Sequence, residues 1–468
     1  MLLTGQNIYK EYGIKTVLDI TKLEIEEGDR IGLIGRNGAG KSTLFGILSG
    51  RIQPDSGNIN CRCEISELMQ SGSISQEEQY QCVSDTWYEN KSGGERMRKA
   101  VSEAFTRNTP LLLADEPTTN LDASGIQMLE KLLLRYRGAV VMISHDRELL
   151  DRTCNKIWEL NEGKLKVFHG NYSAWYEEKQ KQRQHEKSEY DKYTAKQKQL
   201  KKHIAALKQE AAGMEKRPRK MSNSEWQLYK GINSQQQGHV QARVTAVKSR
   251  LENMEVREKP KEEIHVSMKL PDNRNIKSRI AVNIVDFSAR YHNQKVLEHV
   301  SLQIHTGEKV FFCGDNGSGK STLLNAIVNG AEGIFVASDA KIGYFSQTQD
   351  HLDWDKNVLA NVMSTAVVPE HVCRAVLRNL CMSNEDMTKN ISVLSGGERV
   401  KTALAKVLVS GSNLLVLDEP TNHCDIETME GLETLLSGYN GTAIIVTHDR
   451  RFMNKLADQC HMMYTITK

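Results

Sequence analysis

Long apolar runs are missing from this chain of 468 residues. Nowhere do 18 apolar residues follow one another, and the longest runs, such as those ending at Asp115 and Asp418, are strand-sized. That excludes a helix able to span a bilayer, and with it a self-contained membrane transporter. The first residues, MLLTGQNIYKEYG, carry neither the basic nor the apolar region of a secretion signal. The expectation is a soluble, cytoplasmic protein with no membrane partner. Nine cysteines are scattered, and Cys61-x-Cys63 has no second pair at metal-ligand spacing. They read as reduced packing thiols, which leaves zinc and iron–sulfur chemistry without support.

What is present is a cassette that occurs twice. Gly35 to Ser42 reads GRNGAGKS and Gly314 to Ser321 reads GDNGSGKS. Both fit G-x-x-x-x-G-K-[ST], the loop whose amides cradle nucleotide phosphates. Each half then shows S-G-G-E (Ser92 to Glu95; Ser395 to Glu398), an apolar run ending in D-E-P, and a late His-Asp pair. The interval from Ser92 to Glu116 equals that from Ser395 to Glu419, 24 positions. The interval from Glu116 to His145 equals that from Glu419 to His448, 29 positions. Two unrelated glycine-rich turns would not share order and spacing.

These patterns assign candidate chemistry. The loop residues Gly35, Asn37, Gly38, Gly40, Lys41, Ser42 and Thr43, and Gly314, Asn316, Gly317, Gly319, Lys320, Ser321 and Thr322, should bind the phosphates of ATP. Ser42 and Ser321 should ligate Mg²⁺, with Asp115 and Asp418 holding it through water. Glu116 and Glu419 are placed to polarise an attacking water, and His145 and His448 to contact the γ-phosphate. Ser92, Gly93 and Gly94, and Ser395, Gly396 and Gly397, open helices and form second anion sites. Such a site usually serves another subunit's nucleotide; here the recipient would be the other half of the same chain. Gln76 and Gln347 suit a metal or water contact. Tyr12 and Tyr291 either stack on adenine or pack locally.

The fold class expected is α/β: two tandem P-loop ATPase domains, residues 1–165 and 279–468, around a different middle, 166–278. Glycine and proline almost vanish from that middle until Gly213 and Pro218. Tyr190, Tyr193, Gln197, Leu200, Ile204, Leu207, Ala211 and Met214 form a heptad seam, and Val240, Val244, Val247, Leu251 and Met254 a second. Two antiparallel helices follow, joined by a tip at about 213–238, with Gly213, Pro218, Gly231 and Gly238 as breakers. The net charge is only +3, yet Tyr176 to Pro260 holds 20 Lys+Arg against 11 Asp+Glu. The excess fits either a polyanionic partner or a solvated helical surface.

In motif order, both halves resemble the ATP-binding cassette superfamily. The whole chain is similar to its ABC-F subfamily: tandem cassettes, no membrane domain, and a charged helical linker between them. GNYSAWYEEK (Gly170 to Lys179), AVKSRLENMEVREKP (Ala246 to Pro260) and the DEPTNHCD ending at Asp425 carry the likeness. Lys91 and Cys424 stand where leucine is usual. The resemblance implies a head-to-tail sandwich within one monomeric chain, with two ATP. One site would join Lys41, Ser42, Gln76, Asp115, Glu116 and His145 to Ser395 and Gly397. The other would join Lys320, Ser321, Gln347, Asp418, Glu419 and His448 to Ser92 and Gly94.

The resemblance further implies a bacterial 70S ribosome as partner, bound at the tRNA exit site, the linker reaching toward 23S rRNA near the peptidyl-transferase centre and P-site tRNA. Arg217, Arg219 and Lys220 become candidate phosphate contacts. Trp226 and Tyr229 would stack or wedge there, or pack within the tip. The interval from Lys41 to Ser92 is 51 positions, against 75 from Lys320 to Ser395, which leaves no room for the arm of housekeeping members. No C-terminal nucleic-acid-binding extension is expected either. The likeness is therefore to members that protect ribosomes from pleuromutilins, lincosamides and streptogramins A. A translation or ribosome-assembly factor without a drug role is the alternative. The soluble ATPase pair of a transporter would have no use for a heptad hairpin, and in chromosome-maintenance ATPases the coiled coil splits a cassette.

Overall fold

The computed structural model describes residues 1–68, 101, 104–119, 121–214, 223–254, 275–291, 294–346, 352–422 and 424–463. The chain separates into two compact units, one of Met1–Trp175 with Ile264–Lys468 and one of Tyr176–Glu263.

The first unit contains one α/β layout twice. Its first copy runs β1 (Leu3–Tyr12), β2 (Lys15–Ile25), β3 (Arg30–Ile34), α1 (Lys41–Leu48), β4 (Ser56–Cys61), β5 (Ile65–Leu68), β6 (Leu111–Asp115), α2 (Ala123–Arg135), β7 (Ala139–Ile143), α3 (Arg147–Thr153), β8 (Lys156–Asn161) and β9 (Lys164–His169). Then come two long helices, α4 (Tyr172–Met214) and α5 (Asn223–Glu252). The second copy runs β10 (Ile280–Tyr291), β11 (Gln294–His305), β12 (Lys309–Gly314), α6 (Lys320–Asn329), β13 (Ile334–Val336), β14 (Ile342–Phe345), α7 (Val358–Met363), α8 (Glu370–Asn379), α9 (Gly396–Leu408), β15 (Leu414–Asp418), α10 (Ile426–Ser437), β16 (Thr442–Val446), α11 (Arg450–Leu456) and β17 (Gln459–Met463).

The sheets repeat as well. The larger ones are ordered β5-β6-β7-β3-β8-β9 and β14-β15-β16-β12-β17, the same permutation apart from the added β9. The apolar residues of short strands such as Leu111–Asp115 and Thr442–Val446 are all buried, as a parallel sheet covered on both faces requires. Smaller antiparallel sheets, β2-β1-β4 and β11-β10-β13, lie beside them. Each copy has its own core. Leu18, Ile31, Leu44, Leu113 and Val141 belong to the first, and Val282, Phe312, Leu323, Val416 and Ile444 to the second.

Register brings the chemistry together. Asp115 pairs with Ile143, and Asp418 with Val446. The residues just beyond these strand ends therefore emerge side by side at the carboxyl edge of a parallel sheet, where ligands bind in open α/β folds.

The second unit is built on α4 and α5. Leu207 and Ala211 bury against Val240 and Val244, with Ile204 and Val247 alongside, so the two heptad seams meet. The tip differs from the sequence reading. Helix α4 continues through Gly213 to Met214, and α5 already begins at Asn223 and runs through Gly231 and Gly238. A glycine inside a helix costs only about 1 kcal/mol relative to alanine. The helix-tolerant Gln, Lys and Leu residues around these two outweigh that. At the linker's ends, residues 166–169 belong to β9, paired with β8, and Ile276 lies in the second copy's core.

Candidate active sites

Each phosphate loop joins a central strand to a helix. Gly40 and Gly319, the N-caps of α1 and α6, have φ of 100° and 88°. A Cβ there would meet Val17 Cγ1 at 2.7 Å and Leu297 Cδ2 at 2.7 Å, so both positions require glycine. Lys41 Nζ donates to the carbonyls of Gly35 at 2.6 Å and Arg36 at 3.0 Å. Lys320 Nζ does the same to Gly314 and Asp315, both at 2.8 Å. Both lysines are buried, and burial lowers their pKa although acidic neighbours oppose it. A buried ammonium held at the centre of a loop is poised for an anion.

Beyond β6 and β15 the backbone bends sharply. Glu116 and Glu419 each adopt φ of 49°, left-handed and costly for a residue with a Cβ. The bend is fixed by Glu116 N–H donating to Ile143 O and Glu419 N–H to Val446 O, each at 2.9 Å. Glu116 Oε1 then lies 3.3 Å from His145 Nε2, and Glu419 Oε1 3.2 Å from His448 Nε2. Burial pushes the Glu116 carboxyl up to about 8 and that of Glu419 to about 7, against the pull of Lys41 and Lys320. Burial, reinforced by the same lysines, depresses His145 to about 3 and His448 to about 4. Each site thus holds a protonated or readily protonated acid beside a neutral imidazole.

The metal candidates sit next door. Burial raises the pKa of Asp115 and of Asp418, and the Ser321 hydroxyl bonds to the Asp418 carboxylate. Asp418 Oδ1 and Glu419 Oε2 are buried without a hydrogen-bond partner. An orphaned carboxylate oxygen beside a serine hydroxyl is a hard oxygen donor set, and it fits Mg²⁺. Among the described residues no group of three His, Cys, Asp or Glu forms a protein-only metal cage.

The two copies meet at these sites. Asn37 N–H in the first loop donates to Asp425 Oδ2 at 3.1 Å, and Arg36 Nε to Glu427 Oε2 at 2.7 Å. Buried Lys401, on the helix that Ser395 opens, lies 3.6 Å from Asp425 and acts electrostatically on Lys41 and His145. Conversely, Asp122 of the first copy offsets part of the pKa lowering of Lys320 and His448. Ser395 itself forms a capping box with Glu398. Gly396 is exposed, with open space where a Cβ would stand.

Tyr12 is 53% exposed, with the Lys10 ammonium 5.6 Å from its ring centre. Tyr291 ends β10, its side chain outside the described residues. Gln76, Ser92, Gly93, Gly94, Gln347, Arg217, Arg219 and Lys220 also lie outside them. Trp226 and Tyr229 are on α5, but their side chains are not among those described.

Sequence reasoning missed Asp122, Asp425, Lys401 and Arg147. A signal existed for the two aspartates: each follows its glutamate by six positions. Each caps the helix after it, Asp122 accepting from Gly125 N–H and Asp425 from Thr428 N–H. Arg147 and Arg450 also recur, immediately after each His-Asp pair.

A sequence profile described as ABC transporter matches residues 18–87 and 297–422, and a companion profile of the same description matches 158–269. With two phosphate loops, two acid–histidine pairs and an aspartate crossing between the copies, the chain is a tandem ATP-binding cassette ATPase; it hydrolyses ATP. The erythromycin resistance ATP-binding protein MsrA of Staphylococcus epidermidis is 30% identical, over 94% of this chain and 93% of that protein. The ribosome protection protein VmlR of Bacillus subtilis is 30% identical, over 97% and 85%. ABC transporter F family member 5 of Arabidopsis thaliana is 29% identical, over 97% and 74%. A solved structure of the archaeal ribosome recycling factor aABCE1 with the stalk protein aP1 superposes with a TM-score of 0.63, covering 97% of this chain and 87% of the other at 18% identity, a likeness of fold. Within the ATP-binding cassette proteins, the chain belongs to the ABC-F family.

Proposed function

We propose that the protein is a ribosome-protecting ATPase, binding the bacterial ribosome when ATP closes its cassettes and leaving after hydrolysis. The observation that carries this reading is the basic helical hairpin between two complete cassettes. Helix α4 alone has 43 residues, about 65 Å at 1.5 Å per residue. A long cationic arm suits ribosomal RNA and tRNA, whose phosphates dominate affinity. Similarity to a ribosome protection protein and to an erythromycin resistance protein over nearly the whole chain supports the same reading.

The residue roles follow. Lys41 and Lys320 bind phosphate oxygens, and the Ser395 turn completes the Lys41 site across the cassettes. Ser92 and Gly94 do so for the Lys320 site. Ser42 with Asp115, and Ser321 with Asp418, would hold Mg²⁺, whose charge neutralises the phosphates; Gln76 and Gln347 belong to the same shells. Glu116 and Glu419, once ionised, take the proton of an attacking water. His145 and His448, neutral and 3.3 and 3.2 Å away, orient that water and the γ-phosphate. Arg217, Arg219 and Lys220 contact RNA near the peptidyl-transferase centre, with Trp226 and Tyr229 stacking there.

The test is a drug panel in a sensitive bacterium: a pleuromutilin, a lincosamide, a streptogramin A and erythromycin. The intact chain should raise the inhibitory concentration of at least one of them. Arg217→Glu, Arg219→Glu and Lys220→Glu together should abolish that rise at equal expression. Unchanged sensitivity across the panel, with slowed growth when the native gene is removed, would favour a translation or assembly factor instead.

A further inference from the structure

Helix α4 does not start on a free surface. Tyr172, its first residue, is only 1% exposed. The guanidinium of Arg451 sits over its ring, 5.2 Å from the centroid. Trp175 packs one turn on, with ring centroids 5.4 Å apart. The next residue, Ser173, donates its N–H to Asp151 Oδ1 at 2.6 Å. Asp151 lies on α3 and Arg451 on α11, the helices that directly follow His145 and His448. These two helices pack on each other across the cassettes. Arg147, at the start of α3, bonds Asp449, the residue after His448, at 3.1 Å. The first turn of α4 is therefore tied to the helices that follow both histidine loops.

We propose that Tyr172 is a positioning residue that converts the nucleotide-dependent arrangement of the two histidine loops into rotation of α4, and so of the hairpin that α4 carries. A single continuous helix transmits what happens at its first turn. The grip at that turn comes from one cassette through Asp151 and from the other through Arg451, so a shift between the cassettes must act on it. An anchor that merely secured the linker would need only one cassette. The idea rests on the reading of the hairpin as the effector arm, but its test needs no ribosome.

The experiment uses the full chain with Glu116→Gln and Glu419→Gln, so that ATP is held. Spin labels are attached through an unnatural amino acid at the exposed positions Lys22 and Lys198, leaving the native cysteines alone. Adding ATP should shift the distance distribution between the labels. Tyr172→Phe, which keeps the ring under Arg451, should retain that shift. Tyr172→Leu, and separately Arg451→Met, should reduce it by more than half, with affinity for a fluorescent ATP analogue within twofold of the parent. A full shift in Arg451→Met and in folded Tyr172→Leu would overturn the proposal; so would a parent whose label distance does not respond to ATP. Failure of the protein to bind ribosomes leaves this readout unaffected, so the two readings stand or fall separately.

Discussion

The amide of Asn37 and the carboxylate of Asp425 are 388 positions apart in sequence and 3.1 Å apart in space. One belongs to the phosphate loop of the first cassette, the other caps α10 of the second. Asp425 also accepts from the Thr428 N–H and hydroxyl, and Lys401 stands 3.6 Å away. Burial alone would raise its pKa, but Lys401 and these hydrogen bonds hold it at about 2. A charged group this well tied should couple the loop of Lys41 to the second cassette.

Asp425→Asn should therefore act on one site and spare the other. In a Glu419→Gln background, where only the Lys41 site turns over, it should slow ATP hydrolysis by about tenfold, the worth of a charge-assisted hydrogen bond. Asp122→Asn in that background should change the rate far less. Equal effects would contradict the pairing of Asp425 with the Lys41 site and Asp122 with the Lys320 site.

The pH profile should report the buried glutamates. Each could act as the proposed base only when ionised, and burial keeps each protonated up to about 8 for Glu116 and about 7 for Glu419. Turnover should fall as pH drops, by about tenfold per unit below the limb. With Glu419→Gln the limb should lie near 8, and with Glu116→Gln near 7. A flat rate between pH 6 and 8 in both variants would show that neither carboxyl takes the proton.

Stability should hinge on Arg147 more than on its pseudo-equivalent Arg450. Arg147, 4% exposed, bridges Glu433 (2% exposed) at 2.6 Å and Asp449 at 3.1 Å. Burial by itself would lower its pKa, but Asp449 and Glu433 hold it above the usual value. Arg450 lies 3.6 Å from Glu130 and is more exposed. Removing one member of a buried pair costs about 3–5 kcal/mol, and Lys455, still on Glu433 at 2.7 Å, keeps the loss near the lower end. Arg147→Ala should lower the denaturant midpoint clearly, and Arg450→Ala by less than a third as much.

The sequence carried the chemistry that sits within a few residues of a motif. Lys41, Glu116 and His145 were readable because each follows a fixed local pattern and the pattern recurs. Short apolar runs marked the buried strands, but their order in the sheet came only with the structure. Asp122 and Asp425 were in view at equal intervals, but an aspartate that caps a helix looks like any other cap. Arg147 recurs as Arg450, and Tyr172 lies in the GNYSAWYEEK string, but neither contact was readable. Their partners lie in the other cassette, and only docking of the two copies selects Asp449, Glu433 and Arg451 from many charged residues. The helix through Gly231 and Gly238 escaped for a different reason: a small local penalty is overruled by the residues around it and by the seam ahead.

The most direct test of the account is ribosome co-sedimentation of the Glu116→Gln, Glu419→Gln protein. With ATP present it should pellet with bacterial 70S ribosomes at near-equal stoichiometry, and without ATP it should stay in the supernatant. Bound ATP and abolished hydrolysis with no protein in the ribosomal pellet would contradict the account.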